Sequence, residues 1–208
     1  MTSRAPIVAV LLAGGRSSRF GTDKSLAVLG GKTLVARVAE RLAPQVDAMV
    51  ISANGDPIRF AFLGLPVVSD REELGAFSGP LAGILAGIEF ARVSCPRAKY
   101  VASAATDTPF FPADLVVRLA EAVEGDRPAV ARSASGVHPV FGLWPVSVRT
   151  ALRDAIEREA RSARDFARAQ GAIEVPFGPE TIGAGAIDPF FNINRAEDLQ
   201  RAALLLQH

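Results

Sequence analysis

The chain has 208 residues, which suits one α/β domain burying roughly 70% of its unfolded surface. Hydrophobic residues make up 49% and charged residues 22%, proportions that exclude an intrinsically disordered protein. Lys plus Arg number 23 and Asp plus Glu 22, so the net charge of +1 gives no argument for a nucleic-acid or membrane surface. The single cysteine, Cys95, excludes an intrachain disulfide and a thiolate metal cluster, and it indicates a reducing cytoplasm.

Strands and helices are predicted to alternate over the first 125 residues. Residues 7–12 are aliphatic without alternation, which is typical of a strand buried on both faces of a parallel sheet. The pattern then predicts a helix at 32–42, strands at 47–52 and 65–69, a helix from Pro80, a strand at 100–105 and a helix at 113–123. The sequence therefore predicts an α/β fold with a mostly parallel central sheet, in one domain spanning 1–208.

The pattern changes after residue 125. Two strand-like runs, 129–133 and 137–144, predict a hairpin, which we expect as an insertion that could wall off an acceptor pocket with His138 and the sole tryptophan, Trp144. One or two arginine-rich helices at 146–169 and a strand at 172–176 follow. We expect nucleotide binding in residues 1–125 and acceptor binding in 126–208.

A glycine-rich loop with two fixed cations follows the first strand. Gly14 and Gly15 let the backbone adopt positive φ and approach a ligand closely, and Arg19 and Lys24 supply positive charge. The loop is neither a Walker A motif, because Leu26 stands five residues before Gly31, nor a dinucleotide fingerprint. The loop residues alone leave open a phosphate site or a tight turn with a solvated basic rim.

Polar residues also follow two later strands. Asp107 ends the predicted strand at 100–105, where its carboxylate could bind Mg²⁺ or simply cap a turn before proline. Asn194 is expected to cap a helix with Glu197 at the third position, and Asn192 points to the same side without such an explanation.

Gly83 and Gly87 predict close packing of a helix on the sheet, or a helix start that faces a phosphate.

The string LAGGRSSRFGTDKSL resembles the loop of the molybdenum cofactor guanylyltransferases, within the Rossmann-like nucleotidyltransferases. GPLAGILAGI, TDTPFFP and FFNINRAEDL resemble later motifs of that family, in order and over nearly the whole chain. The resemblance implies a three-layer α/β/α fold like that of nucleotide-diphospho-sugar transferases. Where many members have a methionine and two glycines, this chain has Phe20-Gly21-Thr22-Asp23, so the reach of its loop can differ.

The resemblance also implies roles for individual residues. Catalysis is expected from Arg19, Lys24 and Asp107, with Mg²⁺ on Asp107. The other expected contacts are nucleotide binding by Leu12, Ala13, Gly14, Gly15, Lys24, Asn54, Asp70 and Asp107, and acceptor binding by Asn192 and Asn194.

The implied reaction transfers GMP from GTP to the phosphate of molybdopterin bearing molybdenum, which forms the guanine dinucleotide and pyrophosphate. The alternatives are a cytidylyltransferase using CTP, a sugar-phosphate nucleotidyltransferase and a nucleotide-binding regulatory domain without turnover. The related cytidylyltransferases usually have L-A-A-G at Leu12–Gly15, which favours guanine here. We expect a monomer without nucleic-acid or membrane partners, and transient contact with enzymes that make or receive the cofactor.

Overall fold

A seven-stranded sheet forms the centre of the protein. The computed structural model describes residues 5–14, 23–69, 79–160, 162–183 and 185–206. The strands are β1 (Ile7–Leu12), β2 (Val28–Leu29), β3 (Lys32–Thr33), β4 (Ala48–Ser52), β5 (Val67–Val68), β6 (Tyr100–Ala105), β7 (Ala129–Ser133), β8 (Gly136–Pro145), β9 (Ile173–Pro176), β10 (Glu180–Ile182) and β11 (Gly185–Ile187). The central sheet has the order β5-β4-β1-β6-β8-β7-β9, while β2-β3 and β10-β11 form two small hairpins.

Most neighbouring strands of the central sheet are parallel. Strand β1 runs parallel to β4 and β6, β4 to β5, and β7 to β9, whereas β8 is antiparallel to β6 and β7. The predicted mostly parallel sheet is therefore confirmed. The predicted hairpin also forms, but its expected place as an insertion is wrong, because β8 pairs with β6 within the central sheet.

Helices cover both faces of the sheet, as the predicted three-layer architecture requires. They are α1 (Leu34–Leu42), α2 (Gly79–Ser94), α3 (Leu115–Ala122), α4 (Arg149–Glu157), α5 (Ala163–Ala169) and α6 (Ala196–Leu205). Helices α1 and α3 pack on one face against Ile7, Ala9 and Leu11, and α2, α4 and α5 pack on the other against Val8, Val10 and Leu12. Burial on both faces thus explains why every residue of β1 is apolar. None of the helices in the described ranges is long and apolar enough to cross a membrane.

Two glycines bring helix α2 into close contact with the sheet. A Cβ atom at Gly87 would lie 2.6 Å from Cβ of Val10, and one at Gly83 would lie 2.5 Å from a side-chain carbon of Leu12. Real Cβ atoms do not approach other atoms so closely. The close-packing interpretation of these glycines is therefore confirmed.

The tryptophan of strand β8 lies in the core. Trp144 is fully buried, and its Nε1 donates a hydrogen bond to Oγ of Ser103 at 2.9 Å. The hypothesis that it walls off an acceptor pocket is therefore wrong, because its one polar atom is already bonded inside the sheet.

Candidate active site

The carboxyl ends of β1, β4 and β6 are tied together at one edge of the sheet. The carbonyl of Leu12 accepts hydrogen bonds from the amide and hydroxyl of Thr106, at 3.3 and 3.2 Å. The amide of Ala13 donates to the carbonyl of Ser52 at 2.9 Å. The loops after these strands therefore meet, and ligands of open α/β sheets bind at such an edge.

Lys24 lies at this edge in a turn that Asp23 holds in place. Oδ1 of Asp23 accepts from the amide of Ser25 at 3.0 Å and from its hydroxyl at 2.6 Å. These bonds cap the 3₁₀ turn Lys24–Leu26, and Ser25 is almost fully buried. The turn anchors the chain on both sides of Lys24 and projects its long side chain toward β6.

The ammonium group of Lys24 is surrounded by three oxygen atoms. Nζ lies 2.6 Å from Oδ2 of Asp107, 2.7 Å from Oδ1 of Asn194 and 3.2 Å from Oδ1 of Asn192. An ammonium group has three hydrogens to donate, so its donor capacity is used in full. The side chains of Lys24 and Asp107 are only 17% and 24% exposed, which shields this ion pair from solvent more than most surface pairs.

The two asparagines reach the same cation because of the backbone between them. Ile193 donates its amide to the carbonyl of Asp107 at 2.9 Å, and its side chain is fully buried in a small apolar cluster with Leu29 and Phe110. Side chains alternate in extended chain, so Asn192 and Asn194 face the opposite way, toward Lys24. The expectation that they point to one side is confirmed.

The predicted helix cap at Asn194 is wrong by one residue. Helix α6 begins after Arg195, and the carboxylate of Asp198, rather than that of Glu197, accepts from the amides of Asn194 and Arg195 at 2.8 and 2.9 Å. The capping acceptor thus comes from within the helix. The side chain of Asn194 therefore hydrogen-bonds to Lys24 instead of to the helix.

The glycine loop is described only at its beginning. Gly14 is exposed, a Cβ atom there would have nothing within 4 Å, and its φ is not positive, so the freedom of glycine to adopt positive φ is not used at this residue. Asn54 lies exposed after β4, with its carbonyl accepting from Arg59 at 2.6 Å. The predictions for Gly15, Arg19 and Asp70 fall outside the described residues.

His138 belongs to a polar cluster that fastens the segment leading to the asparagines. Oγ of Ser133 lies 2.8 Å from Nε2 of His138 and donates to Asp188 at 2.7 Å, and Asp188 also accepts from the amide of Phe190 at 2.8 Å. Burial lowers the pKa of His138, and its ring stacks on Phe190 at 4.5 Å. Burial alone would raise the pKa of Asp188, but hydrogen bonds from Ser133 and Phe190 outweigh it and lower that pKa. Because the serine stands between histidine and aspartate, this cluster is not a nucleophilic triad.

The oxygen atoms around Lys24 are of the kind that bind hard divalent cations. A carboxylate and two amide oxygens suit Mg²⁺ or Mn²⁺, and the ammonium group marks a position where a positive charge is held by all three. No group of three or more His, Cys, Asp or Glu residues in the described part of the chain could hold a metal ion, and this site has only one such residue, Asp107. Sequence reasoning did not find the contact between Lys24 and the asparagines, nor the turn made by Asp23, for which the spacing Asp-Lys-Ser was an available signal.

Comparison with known proteins identifies the family. Residues 9–173 match the model of the MobA-like NTP transferase domain. A protein of Mesorhizobium japonicum named molybdenum cofactor guanylyltransferase is 47% identical over 209 residues, covering 98% of each chain.

Solved structures share the fold. The molybdopterin-guanine dinucleotide biosynthesis protein A of Archaeoglobus fulgidus matches with a TM-score of 0.71 at 22% identity, over 96% of this chain and 98% of that one. Rv0371C of Mycobacterium tuberculosis, solved as a complex with manganese, matches with a TM-score of 0.63 at 18% identity, over 96% and 98% of the two chains. The chain therefore belongs to the molybdenum cofactor guanylyltransferases, within the family of MobA-like NTP transferase domains.

Proposed function

We propose that the protein transfers GMP from GTP to the terminal phosphate of molybdopterin bearing molybdenum. The observation that supports this most is the contact of Lys24 with Asp107, Asn192 and Asn194 at the edge where β1 and β6 end. Relatives that carry the guanylyltransferase name match the chain over nearly its whole length. GTP and molybdopterin are accordingly the proposed substrates, and the single cysteine supports a cytoplasmic site of reaction.

The reaction needs charge neutralisation more than a general base. A phosphate monoester is largely ionised near neutral pH, so its oxygen can attack the α-phosphorus of GTP directly. A new P–O bond forms as the bond between the α-phosphorus and the bridging oxygen breaks, and pyrophosphate leaves. The role proposed for Lys24, together with Arg19, is to offset the negative charge that develops on the phosphoryl oxygens.

A divalent cation fits the same oxygens, and we propose Mg²⁺ held by Asp107. The donor set of one carboxylate and neighbouring amide oxygens is chemically suitable, and the manganese complex of Rv0371C supports divalent-metal use in this fold. Such an ion supplies charge stabilisation at the phosphates when it is bound. Asn192 and Asn194, with oxygens near the same point, are proposed to face both this centre and the acceptor.

The proposal also assigns the nucleotide and the acceptor to different parts of the chain. The nucleotide is assigned to the edge formed by Leu12, Ala13 and Gly14, with Asn54 on the neighbouring loop, because these residues lie together after β1 and β4. The acceptor is assigned to the side of Asn192 and Asn194. Gly15, Arg19 and Asp70 are proposed as further nucleotide contacts from the family motifs.

Titration and transfer assays test the proposal directly. Calorimetric titration with GTP, CTP, ATP and dTTP, each with and without Mg²⁺, should show selective, Mg²⁺-dependent GTP binding. The protein should then convert GTP and molybdopterin into the guanine dinucleotide, detected by mass spectrometry. The Asp107→Asn variant should lose transfer, and the Asp126→Asn variant should keep it because Asp126 bonds only Ser147 among the described residues. Preference for CTP would indicate a cytidylyltransferase, and GTP binding without transfer would indicate a regulatory domain.

A further inference from the structure

We propose that Arg59 is a positioning residue for nucleotidyl transfer, which holds the Lys24 turn and the Asn54 loop in one fixed arrangement. The inference rests on the proposed function of this edge. No family motif quoted above includes Arg59, and its importance comes only from its contacts. Arg59 lies in the short 3₁₀ segment Pro57–Leu63, which follows β4 and is capped by Asp56.

The guanidinium group of Arg59 contacts both the loop that carries Asn54 and Asp23, the residue before Lys24. Its Nη2 donates to the carbonyl of Asn54 at 2.6 Å, and its Nη1 donates to the carbonyl of Asp56 at 3.1 Å. Its Nε lies 2.8 Å from Oδ2 of Asp23. This last contact has the distance of an ion pair but not the angle of a hydrogen bond, and Nε has no hydrogen-bond partner among the described residues.

Asp23 connects Arg59 to Lys24. One carboxylate oxygen of Asp23 faces Arg59, and the other caps the turn that begins with Lys24. The chain of contacts therefore runs from the Asn54 loop through Arg59 and Asp23 to the lysine that meets Asp107. A planar cation with several donors in fixed directions suits two carbonyl acceptors and a neighbouring carboxylate.

The environment of Arg59 restricts its movement. Its side chain is 25% exposed, and the guanidinium carbon lies 4.7 Å from the centre of the Phe60 ring, which is itself fully buried. A cation over an aromatic face is favourable, so this contact helps to hold the guanidinium in place. An arginine held in this way makes the position of the Lys24 turn depend on the position of the Asn54 loop.

Two substitutions separate the contact of Arg59 with Asp23 from its contacts with Asn54 and Asp56. Asp23→Asn keeps an oxygen that can cap the Lys24 turn but removes the ion pair with Arg59. Arg59→Lys keeps a positive charge for Asp23 but cannot reach Asp56 and Asn54 with a planar fork. Arg59→Met removes both sets of contacts while keeping an unbranched apolar side chain at this position.

Arg37→Met is the matched control. Arg37 also donates two hydrogen bonds to backbone carbonyls, those of Leu29 at 2.6 Å and Gly30 at 2.9 Å. Among the described residues, neither Asp23 nor Asn54 is a hydrogen-bond partner of Arg37. A residue with a purely structural role should behave as this control does. Thermal unfolding of each variant checks that the fold is kept.

Steady-state transfer kinetics and GTP titration give the first test. Arg59→Met should lower turnover about 10- to 100-fold, because small displacements of positioned groups have effects of that size, and it should also weaken GTP binding. Asp23→Asn should lower turnover with little effect on GTP affinity, and Arg59→Lys should weaken GTP binding more than it lowers turnover. Wild-type turnover and GTP affinity in Arg59→Met, or effects no larger than those of Arg37→Met, would overturn the inference.

Hydrogen exchange tests the same connection without any activity. In Arg59→Met, the amides of residues 24–27 and those of residues 53–56 and 58 should lose protection together, whereas Arg37→Met should leave both segments unchanged. Loss in only one segment, or in neither, would show that Arg59 does not connect them. If wild-type protein transferred no GMP, the proposed function would fail, and this exchange experiment would still decide whether Arg59 joins the two loops.

Discussion

Replacing Lys24 with methionine should increase the affinity of the protein for a divalent cation in the absence of nucleotide. The ammonium group occupies the point on which the oxygens of Asp107, Asn192 and Asn194 converge. A metal ion that uses these oxygens must therefore displace it. Methionine has a similar length and shape but no charge, so the oxygens would be available to the metal without competition.

The size of the effect follows from the contacts that the metal must replace. A hydrogen bond to a charged group contributes about 1.5–3 kcal/mol, and the contact of Lys24 with Asp107 is short and mostly shielded from water. If displacement of the Lys24 ammonium group costs the metal about 2 kcal/mol, the metal should bind Lys24→Met with about a 30-fold lower dissociation constant than it binds the wild type. The same substitution should reduce GMP transfer by on the order of 100-fold, because removal of one charge contact at a transition state costs about 3 kcal/mol.

Titration with Mn²⁺, followed by the electron paramagnetic resonance signal of the free ion, measures this directly. Lys32→Met is the control, since Lys32 also pairs with a carboxylate, Glu40 at 2.7 Å, but both side chains are more than half exposed. The control should leave the manganese affinity unchanged, and Asp107→Asn should abolish the high-affinity site. Equal or weaker manganese binding by Lys24→Met would refute the idea that lysine and metal share these oxygens.

Three further predictions concern packing, pH and the asparagines. Gly87→Ala should lower the unfolding free energy by about 2 kcal/mol, because its Cβ would overlap Val10, whereas Gly178→Ala, with open space around it, should leave the thermal midpoint unchanged. Burial lowers the pKa of His138 from its ordinary value near 6.5, so the unfolded chain takes up the proton first, and stability falls as pH falls through 6.5 toward the folded pKa. Denaturant unfolding from pH 7 to pH 5 should be less pH-dependent in His138→Asn, and an unchanged slope would contradict this assignment. Asn194→Ala should reduce transfer while keeping the thermal midpoint, and undiminished transfer would remove this residue from the proposed site.

The sequence predicted the central sheet well because its strands have simple physical causes. Burial on both faces makes β1 uniformly apolar, and its predicted limits and those of β6 match the structure. The ends of elements were harder, as Asn194 shows. Asparagine before an acidic residue fits a helix cap, but the choice between Glu197 and Asp198 as the partner depends on backbone geometry that the pattern does not contain.

The sequence suggested the members of the proposed site but not the contacts among them. Family motifs pointed to Lys24, Asp107, Asn192 and Asn194, but they did not reveal the hydrogen bond from the amide of Ile193 to the carbonyl of Asp107, which helps to bring the asparagines to the lysine. Arg59 was missed because no local pattern distinguishes it from the many solvated arginines. Its contact with Asp23 joins residues 36 positions apart, and only the arrangement of strands decides that they meet.

The distances along the chain between the partners of Lys24 have a consequence for how activity appears during folding. Asp107 lies 83 residues from Lys24 and Asn194 lies 170 residues from it. Pairing of β1 with β6 already brings Asp107 to this edge, but the contact with Asn194 closes a much longer loop, which costs entropy, so it should form late. Recovery of catalysis after dilution from denaturant should therefore lag behind recovery of helical and sheet signal. In a cell, a ribosome-bound chain whose residues 188–194 have not yet emerged could form the first strands of the sheet, but the proposed site would still lack the two asparagines.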